Sequence, residues 1–367
     1  MEQIGQAFYT GAGMLWKALW ALIFGYIISS GIQVLVTREQ MAKVLGRRGP
    51  KEAALAGTFG FISSSCSFAA LAASRSIWVK GAKPMNAIAF LVASVNLVIE
   101  LGIVLLVLLG WSFFVGNLLL GIFMILYAYL LTSIWLPKQL AEKARDHAEN
   151  QQEQAMQQKR PEGKTWLAIL GSVEGWQAIG RAFFMEWKMV YKEILFGFTV
   201  AGFISVFVPK EFWNALFLHT GTSNPSVLVV LENALVAPVI AFFTFIGSMG
   251  NVPLAAMLWS NNASFGGVMS FLGADLVAAT VIYIHAKYYG WKYAAYLSLM
   301  LYVCMVAAGL TVHYIFAAAG MLPSERPSLQ EMVRFEVDYT LWLNLLFIAL
   351  GLVLIWFQRR AASEAQS

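Results

Sequence analysis

The chain has 367 residues, of which 59% are hydrophobic, 14% aromatic and 12% charged, and its formal net charge is +5. That balance excludes an ordinary water-soluble domain, in which charged residues make up about a quarter of the chain. The positive charge does not point to nucleic acid, because Lys and Arg are spread over short polar loops and not gathered on one face.

Runs of about 20 apolar residues suffice to cross a bilayer, and several recur along the chain. The first is expected at Leu15–Val36. The preceding MEQIGQAFYTGAG lacks a basic region and a cleavage site, so this span is expected to be retained. Next comes Ala53–Lys80, which carries SSSCSFAALAAS at Ser63–Ser74. Helix-breaking polar residues in a bilayer are costly unless they line a cavity. The segment therefore reads as a re-entrant hairpin whose arms of about 13 residues rise roughly 20 Å. Spans follow at Met85–Gly110 and Ser112–Leu136. Pro137–Lys164 is the one long polar stretch, an exposed helix or linker by its charge and Gln content. Its GKT at Gly163–Thr165 has Gln158 where a phosphate-binding loop needs glycine, so the chain is not itself an ATPase.

In the second half, Val190–Val208 is expected to span. Val227–Ala237, with Glu232 and Asn233, reads as an interfacial helix, a complete span being the alternative. A second polar break, GSMGNVPLAAMLWS, occupies Gly247–Ser260. Spans are then expected at Ser264–Ala286, Tyr293–Ala318 and Thr340–Phe357. Trp111, Trp135, Trp291, Trp342 and Trp356 fall at span ends, where interfacial aromatics belong.

The halves resemble each other. Gly25–Glu39 matches Gly197–Glu211, Ser67–Leu71 matches Pro253–Met257, and Asn96–Leu97–Val98 answers Asp275–Leu276–Val277. If both broken segments are hairpins, the halves are inverted. All Lys and Arg except Lys17, Lys210, Arg326 and Arg334 then lie on one side. Full crossing by both segments gives a far more even split, so the positive-inside rule prefers the inverted arrangement. The fold class expected is an all-α polytopic membrane protein. It has two inverted structural repeats, each of three transmembrane helices plus a re-entrant helical hairpin, and one extra C-terminal transmembrane helix. Residues 1–137 form the first repeat, 138–188 a cytoplasmic polar linker and 189–319 the second repeat. Residues 320–367 supply an extracytoplasmic loop and the final helix.

Two interrupted segments in corresponding places point to the binding site of a secondary transporter. Substrate-binding candidates are Ser64, Ser65, Cys66 and Ser67 at the first break and Ser248, Met249, Gly250, Asn251 and Pro253 at the second, with Asn96. In this reading Ser65 or Ser67 caps one hairpin arm, Asn251 caps the other and Pro253 suits its opening turn. Helix N-termini meeting there favour anionic or strongly polar ligands. Glu100, one turn from Asn96, and Asp275 are candidates for proton or ion coupling, because a charge inside a membrane is costly. Glu232 and His285 are expected at interfaces. Cys66 could bind a soft metalloid as thiolate, with Met249 as a thioether partner, but two cysteines in all cannot form a three-thiolate site. No metal site and no cofactor are expected.

Four segments carry a family resemblance: FISSSCSFAALAASRSIWVKGA, AFLVASVNLVIELG, GNVPLAAMLW and FGGVMSFLGADLV. By these the chain resembles the ArsP-type permeases, a bacterial family of predicted permeases that includes organoarsenical exporters. Family members often carry a paired-cysteine motif in the site loops. Here Cys66 stands alone and GSMGN has no cysteine. The resemblance implies Ser64–Ser67 and Gly250–Pro253 as site loops. It also implies a multi-pass permease of the bacterial cytoplasmic membrane, with linker and C-terminus cytoplasmic. Such a permease would export a small solute by alternating access coupled to protons, a trivalent organoarsenical or related soft metalloid being the leading substrate. The alternatives are a small-anion permease and an intramembrane enzyme using Asp275 or Glu100 with Ser64 or Cys66. No serine–histidine or zinc pattern supports an enzyme. Expected partners are a small-molecule substrate and the lipid bilayer, with homo-oligomerisation open and no nucleic acid.

Overall fold

The computed structural model describes residues 2–35, 49–63, 67–79, 81–150, 169–209, 212, 216–217, 225–244, 248–326 and 339–364. Every regular element among them is helical, as lipid demands of a single chain that must satisfy its own backbone. In chain order they are α1 (Glu2–Leu35), α2 (Pro50–Ser63), α3 (Ser67–Val79), α4 (Pro84–Asn96), α5 (Ile99–Leu109), α6 (Trp111–Trp135), α7 (Lys138–Asn150) and α8 (Val173–Phe207). They continue with α9 (Val227–Thr244), α10 (Ser248–Ser260), α11 (Phe265–Leu272), a 3₁₀ turn (Gly273–Val277), α12 (Ala279–Tyr289), α13 (Trp291–Ala318) and α14 (Tyr339–Glu364).

Among the described residues, six stretches are long and apolar enough to cross a membrane: Glu2–Ile28, Pro84–Leu109, Trp111–Trp135, Phe265–Tyr289, Trp291–Ala318 and Tyr339–Arg360. Each overlaps a span read from the sequence, although the first begins at Glu2, well before the expected Leu15. The seventh expected span, Val190–Val208, lies within α8, whose shorter apolar part is Ile194–Phe207. The linker boundary drawn at residue 188 falls inside this helix, because α8 starts at Val173 behind its Ser172 cap. Val227–Ala237 is likewise only the first part of α9. All five tryptophans named above are exposed, as interfacial anchors should be.

Gly110 and Gly290 turn the chain between consecutive spans. Both have positive φ, and a tryptophan opens the next helix after each. In the interior α1 packs on α8, α2 on α4, α4 on α6, α9 on α11, α11 on α13, and α6 on α13. Small residues allow the closest approaches. A Cβ at Gly60 would lie 2.4 Å from the Phe90 carbonyl oxygen, and one at Gly197 2.6 Å from Gly250 Cα. Pro238 inside α9 cannot bond the Ala234 carbonyl. Ser270 of α11 donates to that oxygen at 2.8 Å instead, and Tyr302 of α13 donates to Leu235 at 2.8 Å. α14 lies against α1 and α8, with Asn344 donating to the Trp16 carbonyl at 2.9 Å.

The polar helix α7 folds back on the ends of α3 and α12. Arg75 donates to the Ala148 carbonyl at 2.7 Å, Arg145 to the Val79 carbonyl at 3.3 Å, and His147 meets the Lys287 carbonyl at 3.2 Å. Elsewhere, Arg326 in the loop after α13 donates to the Trp259 and Ala263 carbonyls and lies 4.0 Å over the Trp259 ring. Partial burial lowers its pKa from the usual arginine value.

Candidate functional site

Two spans are interrupted near mid-length. The first breaks at Leu97–Val98, where Val98 turns extended (ψ 132°) before α5 begins. The second leaves α-helical geometry at Gly273, passes through the 3₁₀ turn, and turns extended at Ala278 (ψ 145°) before α12. A break strands backbone groups that lipid cannot satisfy. At the first, Asn117 of α6 donates to the Asn96 carbonyl at 2.8 Å. Both Asn96 and Asn117 are buried, and the side-chain oxygen of each has no hydrogen-bond partner.

Asp275 lies in the 3₁₀ turn and is 1% exposed. Ser248, at the start of α10, donates a hydrogen bond to its Oδ2. One turn along α10, Asn251 is also 1% exposed, and neither end of its amide has a partner. A buried polar group left dry costs about 1–3 kcal/mol, so an orphaned amide of this kind marks a place for water or ligand. Pro253 falls in the second turn of α10, not its opening turn, because the helix starts at Ser248 and not at Asn251. There it withholds an N–H from the Met249 carbonyl and leaves a further acceptor near the helix start.

The elements holding these groups are neighbours. α10 packs on α5, α8 and α11, and the 3₁₀ turn touches α4. Glu100, in the first turn of α5, is 1% exposed. Gly25 of α1 lies so close that a Cβ there would overlap the Glu100 side chain. Ser248 and Asp275 are thus joined directly, while Asn96 and Glu100 flank the other break. Gly250 is buried against Gly197. Ser64, Ser65 and Cys66 lie outside the described residues. Ser67 starts α3 and Met249 lies in the first turn of α10.

Two features escaped the sequence reading. Asn117 was hidden in a long apolar run, although a lone amide in such a run is itself a signal. His285 is fully buried within the protein, because α12 lies among α3, α7 and α13. Beside the first break, a groove of about 410 Å³, open on its outer side where Phe61, Ile122 and Leu126 are exposed, lies between α2 and α6 next to Leu97. Its walls are almost wholly apolar. Among the described residues no Lys or Arg is buried, so a bound solute would meet carboxyl, amide and hydroxyl groups and no buried cation.

The family model ArsP_1, described as "Predicted permease", matches residues 3–314, a range that contains both breaks and ends before α14. Among curated proteins the chain is 35% identical over 328 residues to "Putative permease Rv2963" of Mycobacterium tuberculosis (strain ATCC 25618 / H37Rv), a match covering 88% of this chain and 80% of that protein. No solved structure matches the chain.

Proposed function

The chain belongs to the ArsP_1 family of predicted permeases, and from that premise we propose that it exports a small solute across the cytoplasmic membrane by proton-coupled alternating access. The family is one of transporters and not of enzymes. The observation that carries the reading is the hydrogen bond from Ser248 to the buried Asp275 carboxyl. An acid at an interruption of a span is a functional group by default. As a carboxylate it accepts the Ser248 proton and ties the start of α10 to the 3₁₀ turn. Once protonated, that oxygen is a poorer acceptor, and the tie loosens. Proton binding at Asp275 thereby changes how firmly α10 is held, and Asn251 on the same helix receives the solute.

We read α2–α3 and α9–α10 as re-entrant hairpins in two inverted repeats. Helix starts support this: Pro84 and Phe265, then Trp111 and Trp291, fall at nearly constant spacing. Pairings recur in the same order, α2 with α4 and α4 with α6, then α9 with α11 and α11 with α13. The charge distribution puts α7 and the C-terminus in the cytoplasm.

For the substrate we propose a trivalent organoarsenical or related soft metalloid. The lack of buried cations among the described residues disfavours the anion alternative, and the apolar groove suits a methyl or aromatic substituent. Cys66 supplies the soft ligand. The test is flux of methylarsenite, arsenite and small oxyanions into proteoliposomes. Cys66→Ser is expected to lower methylarsenite flux at least about tenfold. Oxyanion flux indifferent to Cys66 would move the assignment to an anion permease.

A further inference from the structure

His285 is fully buried on α12, and neither ring nitrogen has a hydrogen-bond partner. A neutral imidazole carries one donor and one acceptor in either tautomer, so both ends of this ring require something the protein does not supply. The other buried histidine among the described residues is different. His313 accepts the Gly266 N–H at Nδ1, 3.3 Å away, and so anchors α13 to the start of α11.

The surroundings of His285 run from the polar surface toward the proposed site. On its own helix it stacks with Tyr289, ring centroids 6.1 Å apart, next to Tyr288 and Lys287. Titratable or charged groups on the elements packed against α12 include Arg75 on α3, Lys138, Glu142, Lys143, Arg145, Asp146, His147 and Glu149 on α7, Lys292, Tyr293 and Tyr296 in the first turns of α13, and Asp275 on the 3₁₀ turn. Arg75 lies 4.7 Å over the Tyr288 ring while bonding α7. His285 thus stands between the end covered by α7 and the break that carries Asp275. The helical rise places it roughly 15 Å along the axis from that carboxyl, too far for direct transfer and within reach of a short file of water.

We propose that His285 relays the coupling proton between water at the α7 end and Asp275, through water bound at its two ring nitrogens. The inference rests on the proton-coupled reading above. A proton from water on the α7 side binds one ring nitrogen. The imidazolium then releases the proton on its other nitrogen to the water leading to Asp275, whose carboxylate accepts it. The ring is left neutral in the opposite tautomer, and a ring flip resets it. The relay runs equally well in reverse.

The test needs no solute. Exchange of the imidazole C2 hydrogen for deuterium is followed by mass spectrometry on the wild-type protein in nanodiscs. His285 is expected to exchange within about tenfold of the exposed His147, with His313 far slower. Protection of His285 equal to that of His313 would overturn the proposal. In proteoliposomes, His285→Gln is expected to abolish pH-gradient-driven methylarsenite flux while sparing methylarsenite exchange at equal pH. Equal loss of both, or loss of neither, would contradict the relay. If wild-type protein moves no methylarsenite, the substrate proposal fails, and C2 exchange still decides whether His285 is wetted.

Discussion

A peptide carbonyl at a helix break needs a donor, and in a bilayer another side chain or a buried water must bring it. The Asn96 carbonyl obtains it from Asn117, across from α4 to α6. Asn117→Leu removes that donor from a fully buried site and is expected to cost about 1–3 kcal/mol, seen as a lower thermal midpoint in detergent. An unchanged midpoint would mean that water already serves the break. Asp275 and Ser248 form the second such pair, but with a titratable acceptor. In the proposed mechanism, that difference gives one break a structural partner and the other a switch.

At the scale of elements, freed carbonyls recur as fastening points. Pro238 opens α9 at Ala234, and Ser270 closes it from α11. Ser270→Ala alone is expected to destabilise by about 0.5–1.5 kcal/mol. In a Pro238→Ala background the restored N–H at position 238 takes the same carbonyl, so the loss should shrink, and a double-mutant cycle would measure the difference. Strict additivity would contradict this account of the α9–α11 contact.

The elements also show what the amino-acid pattern could and could not carry. Spans were legible because about 20 apolar residues admit few other readings. The breaks at Leu97–Val98 and Gly273–Ala278 were not, since the first has neither Gly nor Pro and both lie in apolar runs. Asn96, Glu100 and Asp275 were still found, because a polar residue inside a span stands out whatever the local backbone does.

At the scale of the whole molecule, the inverted arrangement makes a prediction about sides. α7 and residues 319–326 after α13 should face opposite compartments. In a background lacking Cys66 and Cys304, Glu142→Cys is expected to resist a membrane-impermeant maleimide in intact cells, and Ser324→Cys to react. Labelling of both, or of the first alone, would contradict the orientation drawn from positive charge. The central claim is that a buried acid at a helix break couples protons to solute export. It is tested most directly by methylarsenite flux in proteoliposomes with and without an imposed pH gradient, wild type against Asp275→Asn. The account predicts gradient-driven flux in the wild type and a loss of at least about tenfold in the variant. Flux that ignores the gradient, or survives Asp275→Asn undiminished, would contradict it.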